Sequence, residues 1–296
     1  MKSRRWINSI TPLILFLLSV PTLSAAEPPS QKKTNKIPSP TPAWIKTVNL
    51  TKAGKQAPLK PCRVRYILSW NHLINAGEVS MSMKNSKNPS SSGDPILAGE
   101  ASARSSGLAR LLWSYDCELQ SKTNKTSLRP LSFDHSETEN GESVSYQTVF
   151  KKGRVETLRK EKNPDNGKIK LKKRTFKYPH CYDLLSSILT LRSLPLKKGE
   201  SLVAVVQPFD TPYLVTFTVK GREKRKYLGK LKATVKLGVQ VQKINKDFSL
   251  KKYKKLKTAT LWVSEDAYRL PLELRADIFI GYVSATLVER EFLKSK

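Results

Sequence analysis

From Leu231 to Val241 every second residue is apolar: Leu231, Ala233, Val235, Leu237, Val239 and Val241. Side chains of a β-strand alternate between its two faces, whereas a helix returns to one face every three or four residues. Six unbroken alternations therefore demand an extended strand with one face buried. The same period recurs at Val64, Tyr66, Leu68 and Trp70, at Val144, Tyr146, Thr148 and Phe150, and at Tyr213, Val215, Phe217 and Val219. Lys152-Gly153 and Asn163–Gly167 have the composition of hairpin turns. Asn75-Ala76-Gly77 predicts a turn before a short strand at Glu78–Met83, then a polar loop over 84–94 and a third strand at Ile96–Ala103. Strands follow at 259–263 and 272–280, and Gly281-Tyr282 shifts the phase ahead of a last strand through Leu287.

Two segments carry helical spacing. Leu108, Leu111, Leu112 and Tyr115 follow Ser106-Gly107, and Leu184 to Arg192 follows Asp183, a residue whose side chain can cap the first turn. Pro195 ends the second helix. About ten or eleven antiparallel strands with two short helices predict a mainly β fold, a large curved antiparallel sheet or partial β-barrel with the helices covering its apolar face. Two sandwiched domains divided near Pro179 are the alternative.

The N-terminus sets the compartment. Lys2, Arg4 and Arg5 precede an apolar run from Ile10 to Val20, Pro21 breaks it, and Ser24-Ala25-Ala26 supplies small residues for cleavage. This is the pattern of a signal peptide, too short for a membrane anchor. The expected organisation is a signal peptide at 1–26, a disordered Pro/Lys-rich tether at 27–61, and one β-rich domain at 62–296. The product would be periplasmic or secreted, without a transmembrane span after cleavage.

Charge is the other constraint. The chain holds 54 Lys+Arg against 24 Asp+Glu, a formal net charge of +30. In a cytosolic protein such a surplus would suggest nucleic acid, but an exported one meets anionic lipid or glycan instead. The surplus is also local. Residues 151–182 hold 12 basic and 3 acidic residues, 220–257 hold 15 and 2, and the folded remainder is close to neutral. Lys168, Lys170, Lys172 and Arg174 share one strand face, and Lys230, Lys232 and Lys236 share another. On neighbouring strands facing the same way, these seven cations would make one anion-binding patch, each contributing about 1 kcal/mol near an acidic membrane. The structural alternative is that they are solvated and protect strand edges from aggregation.

Motifs for chemistry are sparse. Cys62, Cys117 and Cys181 allow one disulfide and leave a thiol over, with the pairing open. His180-Cys181 with His135 or Cys117 lacks the spacing of a zinc site, so neither metal nor cofactor is expected. Ser186 and Ser187 lie inside a capped helix rather than on a nucleophile elbow. Glu265-Asp266 is the one carboxylate pair open to acid–base work. Its simpler reading is a turn in which Asp266 accepts backbone N–H groups and pairs with Arg269. No catalytic residue is assigned.

One resemblance accompanies this reading. Tyr66-x-x-x-Trp70 with Ala76-Gly77-Glu78, Asp183-Leu-Leu-Ser-Ser187 leading to Leu191-Arg192 and Pro195-Leu196-x-x-Gly199, and Val219-Lys-Gly221-Arg222-Glu223 with Gly229 resemble the bacterial envelope family known only as domain of unknown function 3108. So does Leu261-Trp262-Val-Ser264-x-Asp266-x-x-Arg269-x-Pro271, and the likeness runs from about 62 to 290. It implies an exported protein with no reaction attached, and the lysines at 168–174 and 220–257 depart from its pattern. The function expected is a non-enzymatic binding protein with a basic face for anionic lipid or glycan and an apolar groove. The alternative is an envelope hydrolase or glycan-processing enzyme using Glu265 and Asp266. The two separate on the concave face of the sheet, which is either open and apolar or filled by Trp70, Trp113 and Trp262.

Overall fold

The computed structural model describes residues 41–56, 59–86, 88–90, 93–163, 166–253, 258–278 and 280–293. The expected signal peptide and residues 27–40 of the tether lie outside them. Eight strands follow one another as hairpins: β1 (Cys62–Trp70), β2 (Ile74–Asn85), β3 (Ile96–Ser105), β4 (Tyr115–Asn124), β5 (Pro130–Glu139), β6 (Glu142–Lys151), β7 (Arg154–Lys162) and β8 (Ile169–Phe176). Helix α1 (Gly107–Leu112) joins β3 to β4. Then come β9 (Cys181–Tyr182), helix α2 (Leu184–Arg192), β10 (Ser201–Val206), β11 (Tyr213–Tyr227), β12 (Lys230–Ile244), β13 (Leu250–Lys252), β14 (Thr258–Ser264), β15 (Pro271–Asp277) and β16 (Tyr282–Phe292).

All sixteen strands belong to one sheet, ordered β8-β7-β6-β5-β4-β3-β2-β1-β16-β15-β14-β12-β11-β10-β9, with β13 beside β12. Pairing is antiparallel except between β9 and β10. The join between β1 and β16, from Cys62↔Phe292 to Trp70↔Val283, sets the last strand of the described residues beside the first. The predicted alternations set the register. Tyr66 lies opposite Val79 and Leu287, Leu261 opposite Leu237 and Leu274, and these side chains meet on one inner face.

Several expectations need correction. The turn read at 75–77 lies inside β2, and the chain reverses at Asn71–Leu73 instead. Gly77 marks a close approach, since a Cβ there would stand 2.2 Å from the Arg104 carbonyl oxygen of the next strand. Strands β4 and β5 had no counterpart in the apolar pattern, because their inner faces mix Tyr115, Cys117, Leu119 and Phe133 with the polar Ser121, Thr123, His135 and Glu137. The two helices differ in role. Helix α2 lies under the sheet with Leu185, Leu189 and Leu191 buried, whereas α1 leaves Leu108, Leu111 and Leu112 exposed.

The described part of the tether is not a free chain. Ala43–Thr47 forms a 3-10 turn, the Trp44 indole donates to the Phe248 carbonyl at 2.8 Å, and Leu50 is 1 % exposed in the core. Leu50 N–H donates to the Val203 carbonyl, at 2.9 Å. Composition averaged over the whole segment hid two large apolar anchors, each able to repay the ordering of a few residues.

Candidate functional site

Helix α2 begins at a closed cap. The Asp183 carboxylate accepts from Ser186 N–H at 2.8 Å, and Ser186 Oγ accepts from Asp183 N–H at 3.0 Å. Ser121 Oγ, on β4, donates to the other carboxylate oxygen at 3.0 Å. Burial nevertheless pushes this carboxyl up to about 6, against the pull of those donors. The far end of the helix is locked to the β14–β15 turn. Arg192 Nε donates to the Tyr268 carbonyl at 2.9 Å, and the Arg269 guanidinium reaches back to the carbonyls of Arg192 and Leu194. Burial, reinforced by the neighbouring Arg269, pulls the Arg192 guanidinium down to about 10.

Between this pinned helix and the sheet is a cavity of about 150 Å³. Met81, Ala101, Leu119, Leu261 and Ala285 line it from the sheet, and Leu184 and Ile188 from the helix. Leu184, Ile188 and Met81 face the core yet are only half-buried, because the surface they retain looks into this space. The tryptophans leave it open. Trp262 packs on the opposite face of the sheet, with Arg225 4.1 Å from its ring. Trp113 stacks on Tyr115, and the Trp70 indole donates to the Ile280 carbonyl.

Across β5, β6 and β7 the inner face changes character. Register places Leu119, His135, Tyr146, Arg159 and Lys172 in one row over five strands. His135 is 2 % exposed between the rings of Tyr146 and Phe209, and neither ring nitrogen has a hydrogen bond among the described residues. Burial pulls this imidazole down to about 3 and keeps it neutral. Beside it the Arg159 guanidinium pairs with Glu161 and lies 3.8 Å from Asp210, which also faces Arg174 at 3.1 Å. Of the buried members of this cluster, the sequence singled out only His135 for chemistry, as a candidate metal ligand, and no motif spacing joins the rest.

The seven candidate cations do not share neighbouring strands. Strand β8 pairs with β7, whereas β12 pairs with β11, β13 and β14. Arg174 turns to Asp210, and Lys236 lies 3.8 Å from Glu223 and 5.5 Å from the Trp262 ring centre. Lys170 and Lys172 are exposed on β8 and Lys168 just before it, and Lys230 and Lys232 stand elsewhere, near the turn of the β11–β12 hairpin.

Glu265 and Asp266 are committed to their turn. Asp266 Oδ1 accepts from Ser264 Oγ at 2.7 Å, Tyr268 N–H at 3.0 Å and Arg269 N–H at 3.2 Å. Its cationic neighbour is Arg290 at 3.8 Å rather than Arg269, while Glu265 pairs with Arg222. A carboxylate whose lone pairs are spent on structure is poorly placed to handle a substrate proton. Cys62, Cys117 and Cys181 are buried, form no disulfide among the described residues, and have their thiol pKa raised by burial. His180 Nδ1 lies 2.7 Å from Arg129, and no group of three His, Cys, Asp or Glu converges among the described residues.

The family model for the DUF3108 proteins, described as of unknown function, matches residues 65–288. Among curated proteins none matches the sequence. A solved structure with a similar fold is the β-barrel-like protein of domain of unknown function DUF1849 from Brucella abortus, 11% identical, TM-score 0.52, covering 80% of this chain and 99% of that one. A candidate lipoprotein from Parabacteroides distasonis is 8% identical over 81% of this chain and 99% of its own, with a TM-score of 0.31. A candidate exported protein of YmcC-like fold from Bacteroides fragilis is 7% identical over the same shares, at 0.28. Among the described residues no helix is long and apolar enough to cross a membrane.

Proposed function

The chain belongs to the DUF3108 family, and from that premise we propose that it is an exported, non-enzymatic binding protein of the bacterial envelope whose ligand is apolar. The observation that carries this is the cavity under α2. A space of about 150 Å³ left empty deprives its lining of the packing contacts that hydrocarbon would supply. Water offers little relief, because a buried water needs two to four polar partners and these walls are almost wholly hydrocarbon. A cavity of this size takes a benzene-sized apolar group. The end of an acyl chain suits it, with the rest of the molecule extending past the half-buried Leu184 and Ile188.

The same geometry separates ligand holding from lid movement. The residues that carry the family resemblance, Asp183, Arg192, Asp266 and Arg269, pin both ends of α2. A helix held so firmly keeps the void from collapsing, which is what a preformed apolar site requires.

Titrating the full chain with a fluorescent long-chain acyl probe tests the reading. Wild type should bind saturably, and Ala101→Leu with Ala285→Leu, which push side chains into the void, should weaken binding at least tenfold. Unchanged binding in the folded double variant would sink it.

A further inference from the structure

The apolar alternation that dominates the sequence outruns the body of the sheet. Strand β12 pairs with β14 only from Thr234 to Val239, and β11 with β10 only from Tyr213 to Thr218. Beyond those limits the β11 and β12 strands pair with each other, up to Tyr227↔Lys230. The face buried at Val235 and Leu237 continues through Ala233 to Leu231, where it is open, and Leu231 is 67 % exposed. Register sets Lys226 opposite Leu231 and Lys224 opposite Ala233, so cations and apolar groups interleave on one unpartnered face. Leu228, at the turn, is also exposed.

The opposite face of the hairpin is occupied. Tyr227 is buried, and the Arg225 guanidinium lies 2.8 Å from Glu273 and over the Trp262 ring. Lys224 and Lys226, on the open face with Leu231, have no ion pair among the described residues, whereas Lys230 and Lys232 lie on the other face, across from Tyr227 and Arg225. The turn is thus anchored from behind and presents lysines around two leucines. Strand β8 puts Lys170 and Lys172 on the face shared with Glu161 and Arg159, and its exposed Ile169 and Leu171 on the other, where they lie opposite Lys162 and Lys160 of β7. The hairpin differs in running past the strands that flank it while its other face is anchored at Arg225.

We propose that the turn of the β11–β12 hairpin is a docking surface for an anionic phospholipid bilayer, with Leu228 and Leu231 entering the headgroup layer and Lys224 and Lys226, on the same face as Leu231, meeting its negative charge. Cations alone would suit a glycan equally well. The leucines select lipid, because apolar groups gain free energy only in a surface with hydrocarbon beneath it. Docking uses residues remote from the cavity lining, so it stands or falls apart from apolar-ligand binding.

The test is amide hydrogen exchange of the full chain with vesicles of phosphatidylcholine, with and without phosphatidylglycerol, alongside vesicle co-sedimentation. Amides of 224–232 should slow with the anionic vesicles alone, and 0.5 M salt, where the screening length is about 4 Å, should abolish the effect. Lys224→Gln with Lys226→Gln should weaken the docking that protects these amides about 25-fold, on the order of fivefold per cation near an anionic surface. Leu231→Ser should weaken it several-fold at unchanged net charge. The cavity double variant should dock normally, and the hairpin variants should still bind the acyl probe. Equal protection on neutral vesicles would overturn the proposal. So would an equal loss from Lys168→Gln, Lys170→Gln and Lys172→Gln in and just before β8, or protection by a soluble anionic polysaccharide that Leu231→Ser leaves intact.

Discussion

The inner face of this sheet has two halves built on one strand period. In β1–β3 and β10–β16 the inward residues are hydrocarbon, and with α2 they leave a cavity. In β5–β7 the inward residues include His135, Glu137, Tyr146, Thr148, Thr157 and Arg159 beside Phe133 and Val155, closed over by Gln207, Phe209 and Asp210. The apolar half can remain partly empty because its walls ask nothing of what fills it. The polar half cannot, since each buried polar atom left without a partner costs about 1–3 kcal/mol, and rings and ion pairs occupy the space. One half is suited to accepting a ligand, and the other is a fastening between sheet edges.

Acid should break the comparison most strongly. The unfolded chain protonates His135 near the usual 6.5, whereas the folded one resists until about 3. The unfolded state therefore binds more protons across that interval. Stability is full above it and declines as pH falls through it, by about 5 kcal/mol in the limit. His135→Phe, which keeps a ring between Tyr146 and Phe209, should move the acid-unfolding midpoint downward. An unmoved midpoint would place the acid sensitivity elsewhere.

Asp183 has the opposite sign. Its folded carboxyl is raised to about 6, so the folded state holds a proton that the unfolded state has lost, and stability falls as pH rises from about 4 through 6. The effect is about 3 kcal/mol. Asp183→Asn retains an acceptor for Ser186 N–H and removes the titration, so it should raise Tm at pH 7 and leave it nearly unchanged at pH 4. At pH 4, where the buried charge is absent, Asp183→Ala should cost about 1 kcal/mol through the lost cap. Equal Tm changes for Asn at both pH values would refute the buried-charge account.

Smaller effects sharpen the contrast. Ala285→Leu adds hydrocarbon to a void and should stabilise by about 1 kcal/mol in denaturant unfolding. Thr148→Val, in the polar half, breaks the 3.1 Å contact with Thr157 Oγ1 and should cost about 1 kcal/mol. A shared sign would mean that the halves are packed alike. Smallest of all, Lys168→Gln with Lys170→Gln should leave stability within about 0.5 kcal/mol, since both lysines are exposed.

Legibility in the sequence followed the same division. Where the inward face is apolar, as in β1, β11 and β12, alternation located the strands and their buried side, and Asp183 announced its helix. Where it is mixed, as in β4 and β5, the period was present but went unread, because Ser121, Thr123, His135 and Glu137 break the apolar run that Tyr115, Cys117, Leu119 and Phe133 begin. The turn at Glu265-Asp266 was legible in its backbone bonds and wrong in its cation, since Arg290 comes from another strand.

The sequence by itself determined that this chain is mainly β, which helix is capped, and which segments carry the positive charge. These follow from neighbours along the chain, through strand periodicity, capping and composition. Only the tertiary structure decided that the seven cations lie on unpaired strands, that the concave face is open under α2, and that the longest apolar alternation runs past its cover at Leu231. Each depends on which strands are neighbours and where their pairing stops. Long-range register settles that, and no local pattern encodes it.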